Sequence, residues 1–389
     1  MALFEDKGRT RTAPRKQGEA LYAFYDSTGR PAYDVYRALL NQWLSEMPEA
    51  EQAEMVTRFR DGARGQFEAA LAELVVHAAL TRLGHSIEIH PDCPHPTRHP
   101  DFLVRDASGQ KLAYVEVTTF GPEVEIVARD NREAVIYNGL EAVDLPPGWL
   151  LSYSLQQHGE TSPSIKKLKR DVEVWAKEVC GDDPSAMPTK VFEANDWQIE
   201  LTLIGGFNKE KNYERKIGAA MQGVRTLSPH LDLRQALELK GRRYGNFDAP
   251  YLIVVADCKE SIPTSDDIAD TLIGAVYGGE AVTIKTYADG TREETLGRTE
   301  DGYWGVIGAH RNDNVSGVAL LPRSDLWRLR NEKWQPLLII NPDATHQLPE
   351  QLLPLPRYVY QPTSDEFTKI DGTLLADMVE LPAEWPPAD

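Results

Sequence analysis

Two carboxylates stand where a folded chain does not keep charge without a reason. Asp101 follows Pro100 at the start of a short apolar run. Glu116 lies in the middle of another, Tyr114-Val115-Glu116-Val117-Thr118. Alternate residues of a strand share a face. Tyr114, Glu116 and Thr118 therefore point one way, Val115 and Val117 the other. A carboxylate inside such a strand is costly unless something pairs with it. A divalent metal ion held by oxygen ligands is one such partner, and it can activate water and offset charge on a phosphodiester. A buried arginine beside Glu116 is another, and Asp101 could simply cap a strand start.

Further residues could join them. Glu73 lies one turn before His77 on a helical segment, as a metal ligand or as a solvated charge, and Glu68 reads as surface. Lys240, in Lys240-Gly241-Arg242-Arg243-Tyr244, belongs to a basic stretch that is a solvated face or a phosphate-contacting patch. Lys240 and Tyr244 are four apart, the spacing of one helical face. His90, Cys93, His95 and His99 fall close together, but their spacing matches no standard zinc pattern and prolines interrupt it. A rigid loop is the better reading. The paired glycines at 205–206 and 278–279 lack the context of a phosphate-binding turn.

Pro100-Asp101 followed by Glu116-Val117-Thr118 resembles the PD-(D/E)xK signature of the restriction-endonuclease-like nuclease superfamily. The segment with Glu68 and Glu73 is similar to its first core helix. The stretch Lys240–Tyr244 is similar to the helical QxxxY element of RecB-like members, with Lys240 in the place of the glutamine. The resemblance covers roughly residues 60–120 and 230–257. It implies an α/β fold with a restriction-endonuclease-like core around a central mixed sheet. It also implies a nuclease hydrolysing phosphodiester bonds, of DNA rather than RNA, with Mg²⁺ or Mn²⁺ as cofactor. Asp101, Glu116 and Glu73 would hold the metal, with Lys240 near the scissile phosphate and Tyr244 orienting that lysine or the water. The implied setting is bacterial, in defence against foreign DNA or in repair, as a homodimer or with a protein partner. The departure is at position 118, where the family's lysine is replaced by threonine. Either the lysine has migrated, Lys240 being the candidate, or the fold is a degenerate nuclease serving as a nucleic-acid- or protein-binding module.

The elements that must position these residues are legible in outline. Helices are expected over 32–44, 49–59 and 66–83, strands over 86–89, 101–104 and 112–120, with Asp106-Ala107-Ser108-Gly109 as a hairpin turn. Then follow a helix over 123–143, a strand over 149–155, a helix over 165–179, a strand over 197–204, a loop over 205–225 and a helix over 231–244. Tyr251-Leu252-Ile253-Val254-Val255-Ala256 reads as a strand buried on both faces. Asp289-Gly290 and Asp301-Gly302 suggest hairpins, 337–340 another strand, and the proline-rich stretch from Pro342 a surface wrap. The expected organisation is an N-terminal helical region (1–60), a core (61–257) with an insertion at about 121–225, and a hairpin-rich C-terminal part (258–389).

Composition bounds the rest. The chain has 389 residues, 41% hydrophobic and 26% charged, an ordinary globular balance. The first residues hold no apolar leader, and residues 1–19 read as a polar tail or, alternatively, a nucleic-acid arm. No apolar run is long enough for a membrane span. Three scattered cysteines argue against a disulfide framework and point to a reducing cytoplasm. The net charge of −18 argues against broad non-specific binding to nucleic acid.

Overall fold

The computed structural model describes all residues except 63–64, 121–123, 182–184, 186, 211–212, 214, 220–227, 259–260, 306–310, 323–324, 362–365 and 388–389, and the side chains of 124–130 and 219. It contains mixed α and β structure in two compact units. One comprises Met1–Gly8, Gly29–Gly121 and Leu227–Asp389, the other Arg9–Thr28 and Pro122–Thr226.

In chain order the elements are α1 (Leu21–Ser27), α2 (Pro31–Ser45), α3 (Glu49–Arg60), α4 (Gln66–Arg82), β1 (Ser86–Ile89), β2 (Phe102–Arg105), β3 (Lys111–Phe120), α5 (Val124–Glu141), β4 (Leu150–Gln157), α6 (Ile165–Val179), β5 (Thr189–Ala194), β6 (Trp197–Ile204) and β7 (Ile217–Ala219). They continue with α7 (Pro229–Gly241), β8 (Tyr251–Asp257), α8 (Asp267–Tyr277), β9 (Glu280–Thr286), β10 (Arg292–Arg298), β11 (Gly317–Leu321), β12 (Leu337–Ile340), β13 (Arg357–Gln361), β14 (Glu366–Ile370) and α9 (Leu375–Met378).

The larger unit is organised by a mixed sheet in the order β1-β2-β3-β8-β11-β12-β13-β14. The β1-β2-β3 end is an antiparallel meander. Its second turn is held by Asp106, whose Oδ1 accepts from the Ser108 and Gln110 N–H groups. β8 runs parallel to both β3 and β11. Such a central strand is covered on both faces, and every residue of Tyr251–Asp257 is buried. One face of the sheet packs on α4, where the His77 ring lies against Phe102. The other packs on α7, α8 and the turn after α7, through Leu103, Tyr114, Leu237, Tyr244, Tyr251 and Ile253. α4 is buried almost all round, with Glu73 and His77 as its two buried polar residues.

The smaller unit has its own core around Trp149, Trp175, Trp197 and Ile199, and a sheet in the order β5-β6-β4-β7.

Five expectations are corrected. The N-terminus is not a free tail: Leu3 and Phe4 are buried, and their N–H groups donate to Asn41 Oδ1. The helix expected to reach Tyr244 ends at Gly241, because Arg242 leaves helical geometry. The stretch from Pro342 does not merely wrap the surface. It buries Leu348, Leu352, Leu353 and Leu355 and adds β13 and β14 to the main sheet. The 205–225 loop contains β7, which pairs with β4, although much of that loop lies outside the described residues. Asp289-Gly290 does turn a hairpin, β9–β10, whereas Asp301-Gly302 turns the chain against the end of α8, where the Tyr303 N–H donates to Ala275. No helix among the described residues is long and apolar enough to cross a membrane.

Candidate metal and phosphate site

The β2–β3 register sets the first pair. Phe102 stands opposite Val115, so one step back along the antiparallel ladder Asp101 faces Glu116. The Val117 N–H donates to Asp101 Oδ2 at 2.6 Å, locking that carboxylate to the strand that bears Glu116. On the other side the His90 N–H donates to the Asp101 carbonyl at 3.0 Å, extending the β1–β2 ladder by one residue.

Glu116 is 2% exposed. Its neutraliser is not a buried arginine but Lys240, whose Nζ donates to Glu116 Oε1. The Tyr244 hydroxyl donates to Oε2 at 2.7 Å. Lys240 and Tyr244 thus meet at one carboxylate although only Lys240 is helical. The end of α7 is fastened for this. Tyr251 Oη donates to the Lys240 carbonyl at 3.3 Å, and Asn314 Nδ2 donates to the Gly241 carbonyl. These bonds satisfy carbonyls that a helix C-terminus leaves open. A Cβ at Gly241 would collide with the Tyr303 hydroxyl, so the turn after Lys240 requires glycine for space. Thr118 lies two residues after Glu116, half-buried, with no cation of its own to offer.

Glu73 comes in from α4 and is paired with Arg58 of α3 at 2.6 Å. Ligand atoms of Glu73, His90 and Asp101 all lie within 4.8 Å of one another. His90 has positive φ (49°), uncommon for a residue with a side chain. It also faces outward to a second acidic group, with its Nδ1 3.7 Å from Glu51 Oε2. Glu68 is half-buried on the first turn of α4 and belongs to neither group. Cys93, His95 and His99 take no part in a metal-capable group among the described residues. Cys93 Sγ donates to the Arg98 carbonyl instead, consistent with a loop that ties itself together.

The electrostatics follow from enclosure. Burial, then the neighbouring Glu116 and Glu73, push the Asp101 carboxyl well above the ordinary carboxylate value, against the Val117 N–H and Lys240. Glu73 is raised by burial even though Arg58 opposes it. Tyr244 is raised by burial and by Glu116, so its hydroxyl stays a proton donor. His77, one turn on from Glu73, is pushed down to about 4 by burial and stays neutral. Three carboxylates therefore face two cations, Arg58 and Lys240. The carboxylate and imidazole donors of Glu73, Asp101 and His90 form a group that could hold a metal ion.

Of the residues singled out in the sequence, Asp101, Glu116, Glu73, Lys240 and Tyr244 converge on one end of the meander. Arg58, His90, Tyr251 and Asn314 were not singled out for this site. Only the proximity of His90 to Pro100-Asp101 carried any signal. Comparison with protein-family models, with curated proteins and with solved structures finds no match for this chain.

Proposed function

We propose that the chain is a Mg²⁺- or Mn²⁺-dependent nuclease on a restriction-endonuclease-like core, hydrolysing phosphodiester bonds of nucleic acid, DNA rather than RNA. The observation that carries it is the placement of Lys240 Nζ on Glu116, opposite Asp101. The cation missing from position 118 is supplied from α7 to the same carboxylate.

Asp101, Glu116 and Glu73 would hold the ion; Asp101 and Glu73 already group with His90, whereas Glu116 lies outside that group with its oxygens on Lys240 and Tyr244. Bound there, the ion supplies an activated water and a counter-charge for phosphate oxygens. The chain's own groups do the rest. Lys240 is 20% exposed at its side chain, so its ammonium can answer both Glu116 and an incoming phosphate. Tyr244 fixes the plane of Glu116 by holding Oε2. Arg58 holds Glu73 in place.

Cleavage of single- and double-stranded DNA and of RNA, with Mg²⁺ or Mn²⁺, tests this in the wild type and in Asp101→Ala, Glu116→Ala and Lys240→Ala. Activity abolished by all three changes in folded protein supports the proposal. Activity that survives the two carboxylate changes would refute it.

One observation favours a second reading. Both oxygens of Glu116 are already engaged, by Lys240 and Tyr244, as they would be in a degenerate nuclease fold used for binding. That reading requires a wild type that cuts nothing and that gains no thermal stability from Mn²⁺ through Asp101.

A further inference from the structure

In a chain of net charge −18, the turn at the end of α7 is a concentration of positive charge. Lys240-Gly241-Arg242-Arg243-Tyr244-Gly245 carries cations and no carboxylate. Lys240 is engaged by Glu116. Arg242 and Arg243 are exposed, and neither has an ion-pair partner among the described residues. The acidic residues nearest in sequence do not answer them. Asp248 is paired with Lys111, Asp313 accepts from the Thr345 hydroxyl, and Glu238, one turn before Arg242, makes no pair with it. Cations near a helix C-terminus also favour the helix dipole. The arginines are not caps, however, because the last carbonyls of α7 are taken by other groups. The Lys240 carbonyl accepts from the Tyr251 hydroxyl and the Arg243 N–H, and the Gly241 carbonyl accepts from Asn314.

Both guanidinium groups are held in place. Arg242 Nε donates to Asn312 Oδ1 at 3.0 Å. Asn312 is itself fixed, with φ 53° and its Nδ2 donating to the Tyr303 carbonyl at 2.6 Å. Anchoring Nε leaves Nη1 and Nη2 of Arg242 with no partner among the described residues. Such a planar fork matches two oxygens of a phosphate. Arg243 lies over the Tyr244 ring, its guanidinium carbon 5.7 Å from the centroid. The hydroxyl of that ring donates to Glu116. One tyrosine ring therefore separates Arg243 from the carboxylate that Lys240 also holds.

Ordering two long side chains costs rotamer entropy, and setting two like charges side by side adds repulsion. A solvated basic face requires neither. A polyanion laid across the turn offsets both, and a strand whose scissile phosphate lies at Lys240 brings its neighbouring phosphates here.

We propose that Arg242 and Arg243 grip the backbone phosphates next to the scissile one, so that the substrate is a polynucleotide strand continuing past the cut rather than a small phosphodiester. The identity of the ligand rests on the proposed nuclease function, whereas the grip is measured without cleavage.

Fluorescence anisotropy of labelled DNA of about 20 nucleotides, single-stranded and duplex, with the full chain in EDTA tests it. The wild type should bind, with log affinity falling linearly against log salt. Arg242→Gln and Arg243→Gln should each weaken binding about tenfold and lower the salt slope by about 1, with unchanged thermal melts. Arg292→Gln removes an exposed cation of β10 and should change neither quantity. Where the wild type cuts DNA, both variants should lose about tenfold in kcat/KM on the strand, chiefly through KM. They should lose much less on bis-p-nitrophenyl phosphate, which has no neighbouring phosphate. A wild type that binds DNA through these arginines but cuts nothing upholds the grip and removes the nuclease reading. The proposal is overturned if the wild type binds no DNA, or if the double variant binds with the affinity and slope of the wild type. It is overturned equally if Arg292→Gln costs as much, or if polyglutamate competes as well as DNA.

Discussion

Removing the ammonium from Glu116 is the sharpest perturbation the site offers. In Lys240→Met the carboxylate stays buried at 2% exposure, with only the Tyr244 hydroxyl at 2.7 Å as partner. Breaking a buried ion pair from one side costs about 3–5 kcal/mol, because the stranded charge stays desolvated. Two features move this site to the low end. Lys240 is 20% exposed, so water already screens part of the pair, and Oε2 remains hydrogen-bonded. The expected loss is about 2–3 kcal/mol, read as a lower urea midpoint or a melt lowered by several degrees. Adding Glu116→Gln removes the stranded charge, so the double variant should recover most of that loss. Mn²⁺ should stabilise Lys240→Met more than the wild type, since the ion then answers Glu116 unopposed. In the cleavage assay the single variant should fall about a hundredfold or more, as for loss of one pre-set electrostatic group. If Lys240→Met unfolds like the wild type and Glu116→Gln restores nothing, Lys240 is a surface cation and the migrated-lysine argument fails.

Three further outcomes follow from the same geometry. Asp101 has its folded pKa raised by burial, Glu116 and Glu73. Above the ordinary carboxylate value the native state therefore holds the proton longer than the unfolded chain, and stability falls as pH rises through that window. Asp101→Asn should flatten the slope in EDTA and abolish the Mn²⁺-dependent rise in melting temperature, and an unchanged slope would count against an enclosed carboxyl. His77 shows the opposite sign: pushed down to about 4 by burial, with Nδ1 lacking a partner, it is neutral in the fold. Stability gained above the ordinary imidazole value is lost as pH falls toward 4, by about 3 kcal/mol in full. Urea unfolding at pH 4.5 and 7 should show that difference shrink in His77→Gln. Tyr244→Phe removes a hydrogen bond to a buried charge and should cost about 1.5–3 kcal/mol. Equal stability to the wild type in chemical denaturation would place Glu116 in contact with water instead.

The elements nearest the site were the most legible, and the reason is local. The run Tyr251–Ala256 and the β2–β3 hairpin declare themselves through continuous apolar character and a turn built on Asp106. The amphipathic α6 was expected over 165–179 and spans Ile165–Val179. What escaped reading lacks such local signals. α8, in Asp-Ile-Ala-Asp-Thr-Leu-Ile-Gly-Ala-Val-Tyr, is buried from Thr271 to Tyr277, so it shows no stripe that distinguishes helix from strand. The prolines after Pro342 mask a segment whose leucines fill the core one at a time rather than with a period.

The site divides along the same line. Asp101 and Glu116 can be paired on paper because an antiparallel hairpin converts sequence distance into register. Lys240 is 124 residues from Glu116, and no pattern in its own segment says where its ammonium points. A resemblance supplied that link, and it misjudged how Tyr244 arrives: the four-residue spacing suggested a shared helical face, whereas α7 stops at Gly241 and the turn beyond it delivers the hydroxyl. The distinction matters for the chemistry. Two groups on one rigid helix would move together, but Lys240 is held by the Tyr251 and Asn314 bonds to the last carbonyls of α7, and Tyr244 by its packing on Phe247 and Tyr251. Loosening the helix end, as in Asn314→Ala, should therefore weaken the Lys240–Glu116 pair while leaving Tyr244 on Oε2. The expected signature is a cleavage rate that falls with little loss of stability. A stability loss as large as that of Lys240→Met would show instead that the two groups are held as one.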